Sequence, residues 1–281
     1  MKGVPGASAF SQVFLACWSL MVAVPLLWAF ASAFKDNREI LEDPWGLPGR
    51  LRWANFAHAW SRAHLGQYLL NTAIVVGLGV LLTMLLGSMM AYVLARYDFV
   101  GNRVIYYLMV SGIAFPVFLA LVPLFFVVSN LHLLNTYQGL IMVYVAYSLP
   151  FTVFFMYAFF RTLPTSIAEA AIIDGCSHDA LFFRVMLPMA RPGLISVGIF
   201  NVLGQWNQFL LPTTLMQQTG PTDPARKMLS QALADLAVQQ GYAGDWGALF
   251  AGLTLATLPV LAVYLVFQRQ VQAGLTAGTL R

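Results

Sequence analysis

Along this chain the apolar positions do not alternate with polar ones; they run together. Residues 10–34, 68–95, 104–160, 192–222 and 246–268 contain no Lys, Arg, Asp or Glu. A helix that crosses a bilayer needs roughly 20 mostly apolar residues. Four of these stretches therefore hold one span each, and 104–160 holds two. Asn130, His132, Asn135, Thr136 and Gln138 supply the polar turn between that pair. The pattern predicts six spans, at 10–34, 68–95, 104–129, 138–160, 190–214 and 246–268. They are expected to be helices, because lipid satisfies no backbone polar group and a barrel strand would show alternation. The expected fold class is an all-α integral membrane protein, one transmembrane domain over residues 1–281.

Three polar segments remain. Residues 35–67, with Pro44, Trp45, Gly46, Leu47 and Pro48 forming a turn-rich stretch, and residues 223–245 lie outside the spans. The third, 161–188, is a long connection of the kind that usually carries function. Ser166 and Glu169 have capping-box spacing, in which each side chain satisfies an exposed amide at the helix start. Gly175 falls where a left-handed C-terminal cap belongs. Ser177 can cap a second helix, with Pro188 expected to stop it. The loop thus reads as helix, glycine turn, helix.

Composition sharpens this picture. The chain is 59% hydrophobic and 9% charged, against about 25% charged in soluble domains. The short loop carrying Arg96 and Arg103, and the loop with Arg161, Arg184 and Arg191, are placed inside by the excess of basic residues near membrane ends. Both termini are then cytosolic. Lys2, Arg269 and Arg281 join the inside set, giving eight basic residues inside and seven outside. Those seven sit mainly in the two longer segments, where the rule has less force. The net charge of +4 therefore expresses topology and does not call for a nucleic-acid partner. The run 10–34 is long for the core of a secretory leader, so it is expected to be a retained span despite Lys2 and Ala31-Ser32-Ala33. Cys17 and Cys176 fall in a span and in a cytosolic loop, where no disulfide can join them, and no Cys/His cluster has metal-ligand spacing.

Nucleotide chemistry needs a glycine-rich loop ending in lysine. Lys2, Lys35 and Lys227 are the only lysines, and none follows a glycine. The chain is expected to be no enzyme and to hold no cofactor of its own. Within the fifth span, Asn201, Gln205 and Gln208 share one helical face. Amides at membrane depth must bond to something or line a wet cavity. They are candidates for a translocation path, with Trp206 and Asn207 near its outer end and Asn71 at the start of the second span. The competing reading has these amides hydrogen-bonded to a partner permease. No span carries a charge at membrane depth, Arg191 lying at the very end of 190–214, which speaks against ion-coupled carriers and ion channels and suits neutral sugars or polyols. His132 and His178 are expected to be surface residues.

Glu169-Ala170-Ala171, Asp174-Gly175, then nine residues and Val185-Met186-Leu187-Pro188 resemble the cytosolic signature loop of ABC importer permeases, with Val185 in place of the usual isoleucine. Tyr68, Asn71 and Thr72 at the start of the second span resemble the carbohydrate-uptake branch, as do Ala91, Tyr92, Arg96 and Tyr97 at its end. So do Leu134 to Tyr137, Gly204 to Phe209 and Gly274 to Gly278. The resemblance runs from the first span to the end, and is to the smaller, maltose/trehalose-type permease. It departs at Gln208, where the family commonly has Glu, and in a short tail. It implies that Glu169, Ala170, Ala171, Asp174, Gly175, Val185, Leu187 and Pro188 dock and couple to a cassette ATPase. ATP and Mg would be bound by two copies of that partner. A second, homologous permease, an extracytoplasmic solute-binding protein and a sugar substrate complete the implied assembly, in the cytoplasmic membrane of a prokaryote. A glycerol-phosphate or other polyol importer is the alternative within the class. A membrane enzyme would need clustered His, Asp or Glu at membrane depth, which is lacking. A channel or scaffold would differ in not binding a cassette ATPase through residues 169–175.

Overall fold

The computed structural model describes residues 5–62, 64–217, 226–239 and 244–277. Lys2, Gly278, Arg281 and, within the segment 223–245, residues 223–225 and 240–243, all used above, lie outside the described residues. Among the described residues every regular element is helical. In chain order these are α1 (Pro5–Ser32), α2 (Asn37–Glu42), α3 (Ala54–Ala57) running into a π-helical turn (His58–Arg62), α4 (Leu65–Arg96), α5 (Asn102–Ala114) and α6 (Val117–Asn130). Then follow α7 (Tyr137–Thr162), α8 (Thr165–Ile173), α9 (His178–Ala180), a second π-helical turn (Leu181–Met186) and α10 (Leu187–Met189). The last four are α11 (Arg191–Trp206), α12 (Leu210–Leu215), α13 (Leu229–Gln239) and α14 (Trp246–Ala277).

Four helices are long and apolar enough to cross a membrane: Ala9–Ser32, Leu65–Arg96, Tyr137–Thr162 and Trp246–Gln268. Two bent pairs raise the number to six if each pair is one span. The third expected span is not continuous. It breaks between α5 and α6 with a bend of 108°. Pro116 is the cause: its ring disfavours helical backbone at the preceding residue, and Phe115 is indeed extended, at φ −78° and ψ 119°. The fifth expected span, 190–214, is also interrupted, since α11 ends at Trp206 and α12 starts at Leu210. A continuous helix would drive the Pro212 ring into the carbonyl of Gln208. Restarting at Leu210 puts Pro212 in a first turn, where it is tolerated, and the freed Gln208 carbonyl accepts from Ser230 Oγ at 2.7 Å.

The chain forms two compact units. One comprises the described residues of Met1–Gln67 and Ala232–Pro259. There, buried Lys35 donates to the carbonyls of Asp43 and Pro44 at 3.0 and 2.9 Å, and Trp28 Nε1 donates to the Pro44 carbonyl at 2.6 Å. Asn55, also buried, donates to the carbonyls of Ala33 and Lys35. These bonds pin the polar segment after α1. Asp36 caps α2 in a reciprocal box with Glu39. The Glu39 amide hydrogen bond, aided by Arg52, holds the Asp36 carboxyl below the ordinary aspartate range against some desolvation.

The other unit comprises Tyr68–Gln231 and the described part of Val260–Arg281. Its two apolar cores follow α7 along its length. One gathers Val75, Val76, Leu140, Tyr144, Leu211 and Leu215. The second gathers Tyr92, Met156, Phe160, Leu181, Phe182 and Met186 beneath the loop around Gly175.

Candidate functional site

The segment from Leu163 to Ala190 builds the helix–turn–helix expected from the sequence, with two corrections. Pro164 forces Leu163 into extended backbone, so α8 begins at Thr165 with Pro164 as its N-cap and no side-chain cap bond. The capping box at Ser166 and Glu169 is therefore not formed. Ser166 lies inside the first turn and Glu169 on the exposed face. At the other end of α8 the expectation holds in detail. Gly175 has φ +85°, the Cys176 amide donates to the Ala171 carbonyl at 2.9 Å, and the Gly175 amide donates to Ile172 at 3.0 Å. This pair of bonds is a Schellman cap.

Ser177 Oγ accepts from the Ala180 amide at 3.4 Å and starts the second helix as expected. Pro188 does not stop that helix. The chain widens to a π turn over Leu181–Met186, with the Leu187 amide reaching back to the Phe182 carbonyl. Helix continues to Met189, and a 78° bend leads into α11. A widened turn just before a proline removes the clash between its ring and the carbonyl four residues back.

Ala168, Ala171, Cys176, Val185 and Leu187 face the second apolar core. Glu169, Ala170, Asp174, Gly175 and Pro188 are exposed. The end of α4 anchors the motif: Arg96 Nη2 donates to the Leu163 carbonyl at 2.6 Å, and Tyr97 Oη lies 2.8 Å from His178 Nδ1. His178 is exposed, as expected, yet it is tethered. Sequence reasoning passed over Ile172 and Ile173, which are 49% and 84% exposed. A signal for them was present, since adjacent residues before a glycine cap cannot both face the core. The result is a short helix whose inner face is fixed and whose outer tip offers two isoleucines, two carboxylates and a glycine.

The expected polar stripe of α11 divides. Asn201 and Gln205 are buried and bond within the chain. Asn201 Nδ2 donates to Thr152 Oγ1 on α7 at 2.8 Å and lies 3.4 Å from Met84 Sδ on α4. Gln205 Nε2 donates to Ser148 Oγ on α7 at 3.1 Å and to Thr83 Oγ1 on α4 at 3.4 Å. Gln205 Oε1 is buried with no partner. Close approach of α4 depends on glycine: a Cβ at Gly79 would sit 2.5 Å from Gln205 Oε1, and one at Gly87 would sit 2.6 Å from Thr152 Cγ2. Trp206 packs against the first apolar core, Asn207 is exposed, and Gln208 is half-buried. Asn71 is buried far from this stripe's hydroxyls, donating to the Lys227 carbonyl at 3.1 Å. Among the described residues no three His, Cys, Asp or Glu side chains converge as a metal centre would require.

Comparison with known proteins places this architecture. The chain is 52% identical over 98% of its length, and 89% of the relative's, to the diacetylchitobiose uptake system permease protein of Streptomyces coelicolor. It is 29% identical to the trehalose transport system permease protein of Mycobacterium tuberculosis, with 92% of each chain covered. Its fold resembles that of a chain in the crystal structure of a bacterial ABC transporter that imports the acidic polysaccharide alginate. The TM-score is 0.80 at 19% identity, over 96% of this chain and 99% of the other. The profile of binding-protein-dependent transport system inner membrane components matches residues 79–276. The chain belongs to that family, the membrane-embedded permeases of ABC importers.

Proposed function

We propose that this permease imports a short neutral oligosaccharide built from N-acetylated sugars, and that its α8 tip is the lever through which a partner ATPase drives it. The observation that carries the substrate class is the 52% identity, over nearly the whole chain, to a diacetylchitobiose permease. The absence of charge from the spans supports a neutral solute. In this reading the loop over 161–188 and both termini are cytosolic. Ile172 and Ile173 enter an apolar groove of the ATPase, with Glu169 and Asp174 meeting basic residues at its rim. A second, similar permease presents the same lever to the second ATPase copy, and a solute-binding protein delivers sugar from outside. ATP and Mg belong to the ATPase pair.

Asn201 and Gln205 act as posts that join α11 to α4 and α7 behind the path, while Asn207 and Gln208, where α11 breaks, meet the solute. Fixed on one side to α11, the lever transmits ATP-driven closure into movement of that wall. Coupling of this kind is reciprocal in binding, so loaded binding protein must alter the affinity of the complex for ATP, and ATP turnover at limiting ATP reads that change. The test is ATPase activity of the complex in lipid, with its neighbouring permease, ATPase and binding protein, against a panel of sugars. Stimulation by diacetylchitobiose only in the presence of binding protein is the expected result. Stimulation by phosphorylated polyols alone would overturn the substrate class, and failure to assemble with any cassette ATPase would overturn the lever.

A further inference from the structure

A cavity of about 370 Å³ opens where α4 gives way to α5, lined among others by Asp98, Phe99, Gly101, Arg103, Tyr157 and Arg161. None of its lining residues belongs to α8 or to the amide stripe. Arg161 Nη1 donates to Tyr157 Oη at 3.2 Å, and its guanidinium lies 5.8 Å from that ring's centre. The arginine is thereby held over an aromatic face instead of sweeping solvent. Arg103 is in the first turn of α5, whose N-cap is Gly101 at φ +95° with no side-chain cap bond. Asn102 Nδ2 fixes this turn to the end of α4 through the carbonyls of Leu94 and Tyr97, at 3.0 and 2.7 Å. Neither Arg103 nor Arg161 is in an ion pair among the described residues, although Asp98 shares the cavity. Two guanidiniums and one carboxylate leave the cavity with one net positive charge.

Its position selects the ligand. The cavity sits at the end of two apolar helices, the level at which a bilayer presents its headgroups. Below it, Val104, Tyr107 and Leu108 form an exposed stripe on α5, each at least 60% exposed. Spacing of three and four residues keeps these side chains on one helical face. A free anion would have no use for such a stripe, whereas an acyl chain would lie along it. We propose that this cavity binds the phosphate of an anionic phospholipid, with Arg103 and Arg161 on the phosphate oxygens and the tails along α5. Basic pockets between spanning helices are suited to such headgroups.

The experiment is native mass spectrometry of the assembled complex, taken from nanodiscs of phosphatidylcholine with one part in five phosphatidylglycerol. Wild-type complex should retain phosphatidylglycerol in preference to phosphatidylcholine. Arg103→Gln and Arg161→Gln should each lower retention on the order of fivefold, from the attraction of one basic side chain to an anionic surface. Asp98→Asn should raise retention, a gain that misfolding cannot mimic. Millimolar inorganic phosphate should leave the lipid in place. Retention unchanged by all three substitutions overturns the site, and displacement of the lipid by inorganic phosphate overturns the lipid assignment in favour of a free anion.

Discussion

Gly175 offers the sharpest test of the lever, because its cost of replacement can be worked out from local geometry alone. Its φ of +85° lies in the left-handed region, and a Cβ built there meets nothing within 4 Å. Replacement therefore adds no clash; the whole penalty is torsional. Left-handed backbone costs an L-residue about 1–2 kcal/mol, with β-branched side chains at the upper end. Against that stand the two cap bonds, Cys176 to Ala171 and Gly175 to Ile172, worth about 1 kcal/mol each in net terms. The two sums nearly cancel. Gly175→Val should accordingly turn a closed cap into one that is open for a large share of the time, freeing Ile172, Ile173 and Asp174. The core beneath, held by Ala168 and Ala171 against Phe160 and Phe182, should survive.

In proteoliposomes the expected result is ATP turnover that persists while solute moved per ATP falls severalfold. Hydrogen exchange should quicken at the last turn of α8 and nowhere in the spans. Gly175→Asn, which tolerates left-handed backbone better than most residues, should fall between wild type and Gly175→Val. Full coupling in Gly175→Val, with unchanged exchange in α8, would refute the idea that a fixed cap transmits the stroke.

Four further substitutions separate structural from functional polar groups. Gln205→Leu removes two hydroxyl bonds, each worth about 0.6 kcal/mol at membrane depth, but also an orphaned amide oxygen whose burial costs about 1–3 kcal/mol. Its thermal stability should match or exceed wild type, and a clear loss would show that the oxygen has a partner in the native complex. Asn201→Leu loses a shorter bond with no orphan to relieve, so it should destabilise by about 1 kcal/mol in the same melting assay. Lys35→Met strands the carbonyl of Asp43, so exchange should accelerate across residues 36–53, by about 1–3 kcal/mol of local opening, while the spans stay protected; unchanged exchange there would mean the lysine holds nothing. Asp36→Ala should unravel α2 near neutral pH only. The depressed Asp36 pKa means its contribution is present above the ordinary aspartate range and is lost as pH falls through the folded value, so mutant and wild type should converge in acid circular dichroism.

The sequence and the structure agree most where one physical rule acts alone. Long uncharged runs leave helices as the sole option in lipid, and the four unbroken spans lie close to where those runs predict. The Schellman cap was equally legible, because a glycine after Glu169-Ala170-Ala171 has few other uses. Reading failed where two rules competed. Apolarity over 104–129 asks for one helix, but Pro116 disfavours helical backbone at Phe115, and here the chain breaks. Pro150 in α7 and Pro259 in α14 lie within unbroken helices, so a proline by itself does not announce which outcome applies. Pro188 shows a third outcome, absorbed by a π turn that periodicity does not encode.

The amide stripe illustrates the remaining gap. Spacing put Asn201 and Gln205 on one face, correctly, and Gln208 wrongly with them, since it lies beyond the end of α11; even so, a face has no address until the neighbouring helices are placed. What Asn201 and Gln205 meet is decided by Thr83, Ser148 and Thr152, hydroxyls lying more than 45 residues away in sequence. Gly79 and Gly87 let α4 approach closely enough for those hydroxyls to be reached. A cluster assembled from three helices is visible only after folding, and its members are individually ordinary in a spanning helix. The exception is Gln205 Oε1. A buried acceptor without a donor costs about 1–3 kcal/mol, and no spacing rule announces it, because which amide atom is met depends on the placement of all three helices.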